Sequence, residues 1–203
     1  YIDLYQMHFP DAETPIEETL RALEELISSG KVRHIGASNF ASWQISESGW
    51  TSLTNELNQF VSLQTRYSIL TRDIEKEILP VCSKHDVSLL PYFPLESGLL
   101  TGKITREKEA PKGSRLALWK GAFTSEEKFD IIDKLNVFGS EIGRNILEMS
   151  LAWVANRSQV ASVLVGATSP EQMVQNIEAI SWDISKEEIK VIDKIVSNDE
   201  NSI

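Results

Sequence analysis

The 203-residue chain has one cysteine, three histidines and no apolar run long enough to cross a bilayer. A lone Cys82 excludes an internal disulfide and a cysteine-rich zinc site. Its neighbours Ile78, Leu79 and Val81 make it a buried spacer, and such cysteine usage fits a reducing cytoplasm. In that compartment the Asn156-Arg157-Ser158 sequon carries no meaning. No stretch approaches the roughly 18 apolar residues a membrane helix needs, and no secretory n- and h-region is visible. Positive charge is also short: 20 Lys and Arg stand against 30 Asp and Glu, a net −10. Nucleic-acid binders usually carry a basic face, so that class is disfavoured. No Gly-x-Gly-x-x-Gly follows a strand-like segment, which counts against a doubly wound dinucleotide fold.

What is present is a repeat. With 41% hydrophobic and 25% charged residues, composition is that of a globular domain, and the length suits one. IDLYQM (2–7) reads as a strand. Pro15 then opens a helix whose Ile16, Leu20, Leu23, Leu26 and Ile27 share one stripe, with Gly30 as its C-terminal cap. VRHIGAS (32–38), FVSLQT (60–65), VSLLPYFPL (87–95) and VASVLVGA (160–167) read as further strands. Helical patterns fall at about 41–55, 72–85, 125–138, 140–157, 170–180 and 186–197. Strands alternating with helices predict parallel βαβ units. His8, Gly36, Gln64 and Tyr92 close the first four strands at a constant spacing of 28 residues. That regularity predicts a (β/α) barrel, whose chemistry sits on loops at the carboxyl ends of its strands. Five strands cannot close an eight-stranded barrel, so the expectation is a chain lacking about three N-terminal βα units.

The strand ends carry the candidate chemistry. His8 could donate a hydrogen bond to a carbonyl oxygen, or it could be a core histidine satisfied by backbone. Ser38 and Asn39 suit either a ligand amide or the cap of the next helix. The Gln64 carboxamide matches another amide, though surface glutamines are common, and Tyr92 offers a flat face that a core tyrosine also has. Between Thr101 and Gly121 lie Lys103, Arg106, Lys108, Lys112, Arg115 and Lys120 against Glu107 and Glu109, a local +4 in a chain whose remainder carries −14. Such a loop either attracts phosphate or is a solvated surface. Ser169-Pro170 reads as N-cap and first helical residue, a helix start with bare amides.

Taken in order, YIDLYQMHFPD, GKVRHIGASNF, SLQTRYSIL, PYFPLESGLLTGK and VLVGATSPEQMVQN resemble the aldo-keto reductases, in particular their bacterial and potassium-channel-β-like branches. The resemblance covers essentially the whole chain. It implies a (β/α)8 TIM barrel, with 1–203 a single partial domain holding strands four to eight. It implies NADP(H) as cofactor, NAD(H) being the alternative, and a small aldehyde or ketone as substrate. His8 would be the catalytic histidine. Ser38, Asn39 and Gln64 would hold the nicotinamide carboxamide, with Tyr92 stacked on the ring. Pro94, Leu95, Ser97 and Gly98 would line the pyrophosphate, and Lys103 and Arg115 would meet the phosphates. Gly166, Thr168, Gln172, Gln175 and Asn176 would surround the adenosine end. The family's general-acid tyrosine, with its lysine and aspartate, lies before the histidine strand, so no residue here takes those roles. The expectation is an oxidoreductase when complete and an inactive 203-residue piece alone. A nucleotide-binding regulatory module of the channel-β kind is the alternative. An unrelated barrel isomerase or hydrolase needs paired carboxylates or metal ligands at strand ends, and the sequence offers neither. No metal, membrane or nucleic-acid partner is expected. Trp119, in the basic loop, could contact substrate.

Overall fold

Parallel strands need a crossover between them, and the chain supplies a helix each time. A computed structural model of the protein describes residues 1–106, 117 and 124–197. In chain order the elements are β1 (Ile2–Met7), α1 (Ile16–Ser28), β2 (Val32–Ser38), α2 (Ser42–Thr54), β3 (Phe60–Arg66), α3 (Ile78–Lys84) and β4 (Ser88–Tyr92). They continue with α4 (Glu126–Ile142), α5 (Ile146–Ala155), α6 (Pro170–Ile180) and α7 (Lys186–Ser197), and 3₁₀ turns occupy Asp73–Glu75 and Glu96–Thr101. The four strands pair in parallel in the order β1-β2-β3-β4. Neighbours in sequence are therefore neighbours in the sheet, the arrangement of a partial (β/α) barrel.

Register brings the strand ends level. Met7 pairs with Ala37, Ser38 with Gln64, and Arg66 with Tyr92. One close approach fixes β2 against β3. A Cβ on Gly36 would lie 2.3 Å from Ser62 Oγ and 3.1 Å from the Ser62 carbonyl, so a side chain where the register shifts between Ile35 and Gly36 would push Ser62 aside.

Local chemistry explains where elements stop. The α1 helix starts after Pro15, carries Glu17 and Glu18 in its first turn, and buries Leu20 and Leu23. It ends in a Schellman pair, Lys31 N to Leu26 O and Gly30 N to Ile27 O, with Gly30 at φ +72°. The expected helix over 72–85 divides into the Asp73–Glu75 turn and α3. Pro80 lacks an N–H and is tolerated only in a first turn, so α3 must begin just before it. The expected break near residue 139 moves to Gly143, at φ +68°. Gly139 stays helical, and a Cβ there would lie 2.4 Å from the Arg144 carbonyl. Asn145 and Glu148 then cap α5 reciprocally.

The fifth strand expected over 160–167 is a correction. It is reduced to one parallel bridge, Leu89 to Val160, held by Leu89 N to Gln159 O and Ala161 N to Leu89 O. A strand exists through its partner; among the described residues these are the bonds that β4 makes with the run, and 163–167 takes no regular structure.

The chain divides into two compact units, one of Tyr1–Arg66, Asp73–Tyr92 and Ser158–Ser162, the other of Tyr67–Arg72, Phe93–Arg157 and Val163 onward. In the first, Leu20, Ile35, Ala37, Ile45, Leu63 and Leu89 are buried, and Phe40 meets Phe60 edge-on at 5.6 Å. Cys82 belongs to this core, and burial pushes its thiol up to about 11. In the second, Trp153 is fully buried beside Tyr67 and lies under two guanidiniums, Arg157 at 3.8 Å and Arg72 at 4.9 Å. Asp193 of α7 accepts from Arg72, Arg157 and the Trp153 indole N–H, clamping that helix down.

Candidate active site

The carboxyl ends of four strands converge on one residue in the first unit, three on its side chain and one on its backbone. Asn39 follows β2 in the left-handed region, at φ +61°. Asparagine tolerates that conformation better than most residues. Its backbone N–H donates to the Gln64 carbonyl at 3.0 Å, at the end of β3. Its Nδ2 donates to the His8 carbonyl at 3.0 Å and to Ser38 Oγ at 3.1 Å. Its Oδ1 accepts from the Tyr92 hydroxyl at 2.8 Å. His8, Ser38, Asn39, Gln64 and Tyr92 thus form one hydrogen-bonded group.

Two alternatives from the sequence are closed. His8 is exposed, its ring tilted against Phe9 at 4.4 Å, so it is no core histidine. Neither Ser38 nor Asn39 caps α2; Ala41 holds the N-cap position, and Gln44 Oε1 accepts its N–H. His34 lies on β2 opposite Leu4, and the His85 ring abuts Gly49.

In the second unit the segment after β4 turns sharply. Phe93, Glu96, Ser97 and Gly98 all have positive φ, at +55°, +48°, +57° and +106°. Left-handed non-glycine residues are costly and collect at functional sites. Pro94 is buried and Leu95 half-buried, and Gly98 N returns to the Leu95 carbonyl at 2.8 Å. Thr101 Oγ1 donates to the Gly98 carbonyl at 2.6 Å, and Lys103 is exposed just beyond. Sequence reasoning missed the group behind this turn. Glu96 is wholly buried and accepts from Ser68 Oγ, Thr71 Oγ1 and Lys128 Nζ at 2.9, 2.9 and 3.0 Å. The available signal was an acid set among Leu95, Leu99 and Leu100.

The entry to α6 is capped by Ser169 Oγ, which accepts from Gln172 N. Gln172 Oε1 turns back to the backbone N–H and hydroxyl of Thr168, at 2.8 and 3.1 Å. Asn176 is buried, while Gly166 and Gln175 are exposed. The Ser169 hydroxyl, then its own backbone amide, holds the Glu171 carboxyl below the usual carboxylate range. Of the basic loop, Arg106 pairs with Glu126, Asp130 and Asp133 of α4. Lys108, Lys112, Arg115, Trp119 and Lys120 lie outside the described residues.

The turn at Ser97 and Gly98 has room and a donor for an anionic group. Among the described residues Ser97 Oγ is shielded from solvent with no hydrogen-bond partner, and none comes within 4 Å of the space over Gly98. A buried hydroxyl without a partner is uncommon, and a phosphate oxygen would satisfy it. Among the described residues no three His, Cys, Asp or Glu side chains converge as metal ligands.

Parallel strands in sequential order with crossover helices place the chain among the (β/α)-barrel proteins. Within that class the chain belongs to the aldo/keto reductase family, whose model matches residues 1–197. It is 38% identical over 192 residues to the NADH-specific methylglyoxal reductase of Escherichia coli, covering 91% of this chain and 56% of that protein. It is 31% identical over 210 residues to a proposed voltage-gated potassium channel β subunit of Schizosaccharomyces pombe, covering 97% of this chain and 60% of the other. The solved structure of a glycerol dehydrogenase from Gluconobacter oxydans superposes with a TM-score of 0.81 at 30% identity, covering all of this chain and 60% of that one. The chain thus spans less than two thirds of the length of these relatives.

Proposed function

We propose that the complete protein is an oxidoreductase that reduces a small aldehyde or ketone with a nicotinamide dinucleotide. The observation that carries this reading is the Asn39-centred group, which presents His8, Ser38, Gln64 and Tyr92 together at the strand ends. The bound cofactor would supply a hydride to the carbonyl carbon. His8 would donate a hydrogen bond to the carbonyl oxygen as negative charge grows there. Ser38, Asn39 and Gln64 would orient the nicotinamide amide, and the Tyr92 ring would cover one of its faces. Pro94, Leu95, Ser97 and Gly98 would receive the pyrophosphate, and Lys103 and Arg115 its charge. Gly166, Thr168, Gln172, Gln175 and Asn176 would take the adenosine. No residue of 1–203 is assigned as proton donor, so this polypeptide by itself is expected to bind cofactor without turnover. The buried cysteine suits a cytoplasmic setting, and no described helix is long and apolar enough to cross a membrane.

The expectation of NADP(H) needs cations for the 2′-phosphate. The described start of α6 offers Thr168, Gln172 and an ionised Glu171, which favours NADH. The test is oxidation of NADH and NADPH by the full-length protein with methylglyoxal or 4-nitrobenzaldehyde. NADH should give the higher kcat/KM, and Glu171→Arg should move the ratio toward NADPH by about tenfold. No oxidation of either cofactor by any carbonyl, with binding retained, would favour the regulatory reading, which the 31% identity to a proposed channel β subunit supports.

A further inference from the structure

A carboxylate with no exposed surface is expensive to keep unless donors surround it, and well-packed apolar residues often serve stability as well. Glu96 is such a carboxylate, and the mechanism above does not use it. Its donors come from two separate segments. Ser68 and Thr71 close a tight turn on each other, Ser68 N to Thr71 O at 3.1 Å and Thr71 N to Ser68 O at 3.2 Å. Both hydroxyls then point at Glu96 Oε1. Lys128, in the first turn of α4, reaches Oε2. Glu96 therefore ties its own segment to a turn 25 to 28 residues before it and a helix 32 residues after it.

That segment needs a tie. Glu96, Ser97 and Gly98 are successive left-handed residues, a run that L-amino acids do not sustain unaided. Among the described residues the conformation buries the Ser97 hydroxyl without a partner beside the open face of Gly98. Lys128 also cancels the Glu96 charge, which would otherwise repel an anion at the turn.

We infer that Glu96 is a positioning residue for cofactor binding: gripped by Ser68, Thr71 and Lys128, it holds the Glu96–Gly98 backbone in the left-handed turn that presents Ser97 to the cofactor's pyrophosphate. The inference rests on the dinucleotide reading above and adds a residue to it. It predicts selectivity among ligands. Titration calorimetry on the full-length protein compares ADP-ribose, which carries the pyrophosphate, with AMP, which does not. Glu96→Gln and Thr71→Val should each weaken ADP-ribose by about tenfold and leave AMP within twofold, the scale of about one lost hydrogen bond. Lys128→Met should weaken ADP-ribose further, because it leaves the buried carboxylate uncancelled. Circular dichroism fixes a temperature at which each variant is folded. Should Glu96→Gln not fold, Thr71→Val, which keeps side-chain volume and loses one donor, still decides the matter. Equal losses for both ligands, or no loss for either, would overturn the inference. If the wild-type protein binds neither NADH nor NADPH, the dinucleotide reading itself fails, and this inference with it.

Discussion

Asn39 carries more of the candidate site than any other single residue. Its side chain holds Ser38, the His8 carbonyl and the Tyr92 hydroxyl, while its backbone sits at φ +61°. Two substitutions separate these contributions. Asn39→Gly loses the side-chain bonds, worth about 1 kcal/mol net each, but suits the backbone. Asn39→Ala loses the same bonds and adds about 1 kcal/mol of left-handed strain. Urea unfolding should therefore rank Ala below Gly; the reverse order would refute the backbone argument. Residues of this group were legible in the sequence because a parallel (β/α) sheet puts every strand's carboxyl end on one side. The 28-residue spacing of His8, Gly36, Gln64 and Tyr92 counted those ends out. Glu96, Ser68, Thr71 and Lys128 were not legible as a group. They meet only through tertiary folding, and each alone is an ordinary polar residue.

Among the elements, those with strong local signals were read well. Ser169-Pro170 fixed the start of α6, and Pro15 and Gly30 bracketed α1. The misreadings share a cause: local pattern was asked to report a non-local condition. VASVLVGA is apolar enough for a strand, but only Val160 bridges to β4. The gap left between the expected helices fell at residue 139, yet Gly139 remains in α4, with the Arg144 carbonyl folded against it. Gly36 shows the same dependence on a neighbour, here between strands. Gly36→Ala would drive a methyl into Ser62 Oγ and should cost about 2–3 kcal/mol, read as a lower urea midpoint at unchanged m. Adding Ser62→Gly should recover much of that loss, since it removes the clashing hydroxyl. A failure to recover would mean that the Ser62 carbonyl, 3.1 Å from the same point, dominates.

Across the whole molecule, charge is arranged rather than merely acidic. Arg106 is matched by three carboxylates of α4, and Lys128 by Glu96. The clamp on Trp153 has a spectroscopic consequence. An indole with no exposed surface, beside Tyr67 and under Arg157 and Arg72, should emit toward the blue and resist acrylamide. Trp43 and Trp50 on α2, 63% and 66% exposed, should emit toward the red and quench freely. Trp153 is thus a blue reporter within its own unit, and Trp43 and Trp50 are red reporters within theirs. During denaturation, loss of the blue, acrylamide-resistant component should follow the unit that holds Trp153. Trp153→Phe should remove that component while leaving the red emission of the α2 tryptophans in place.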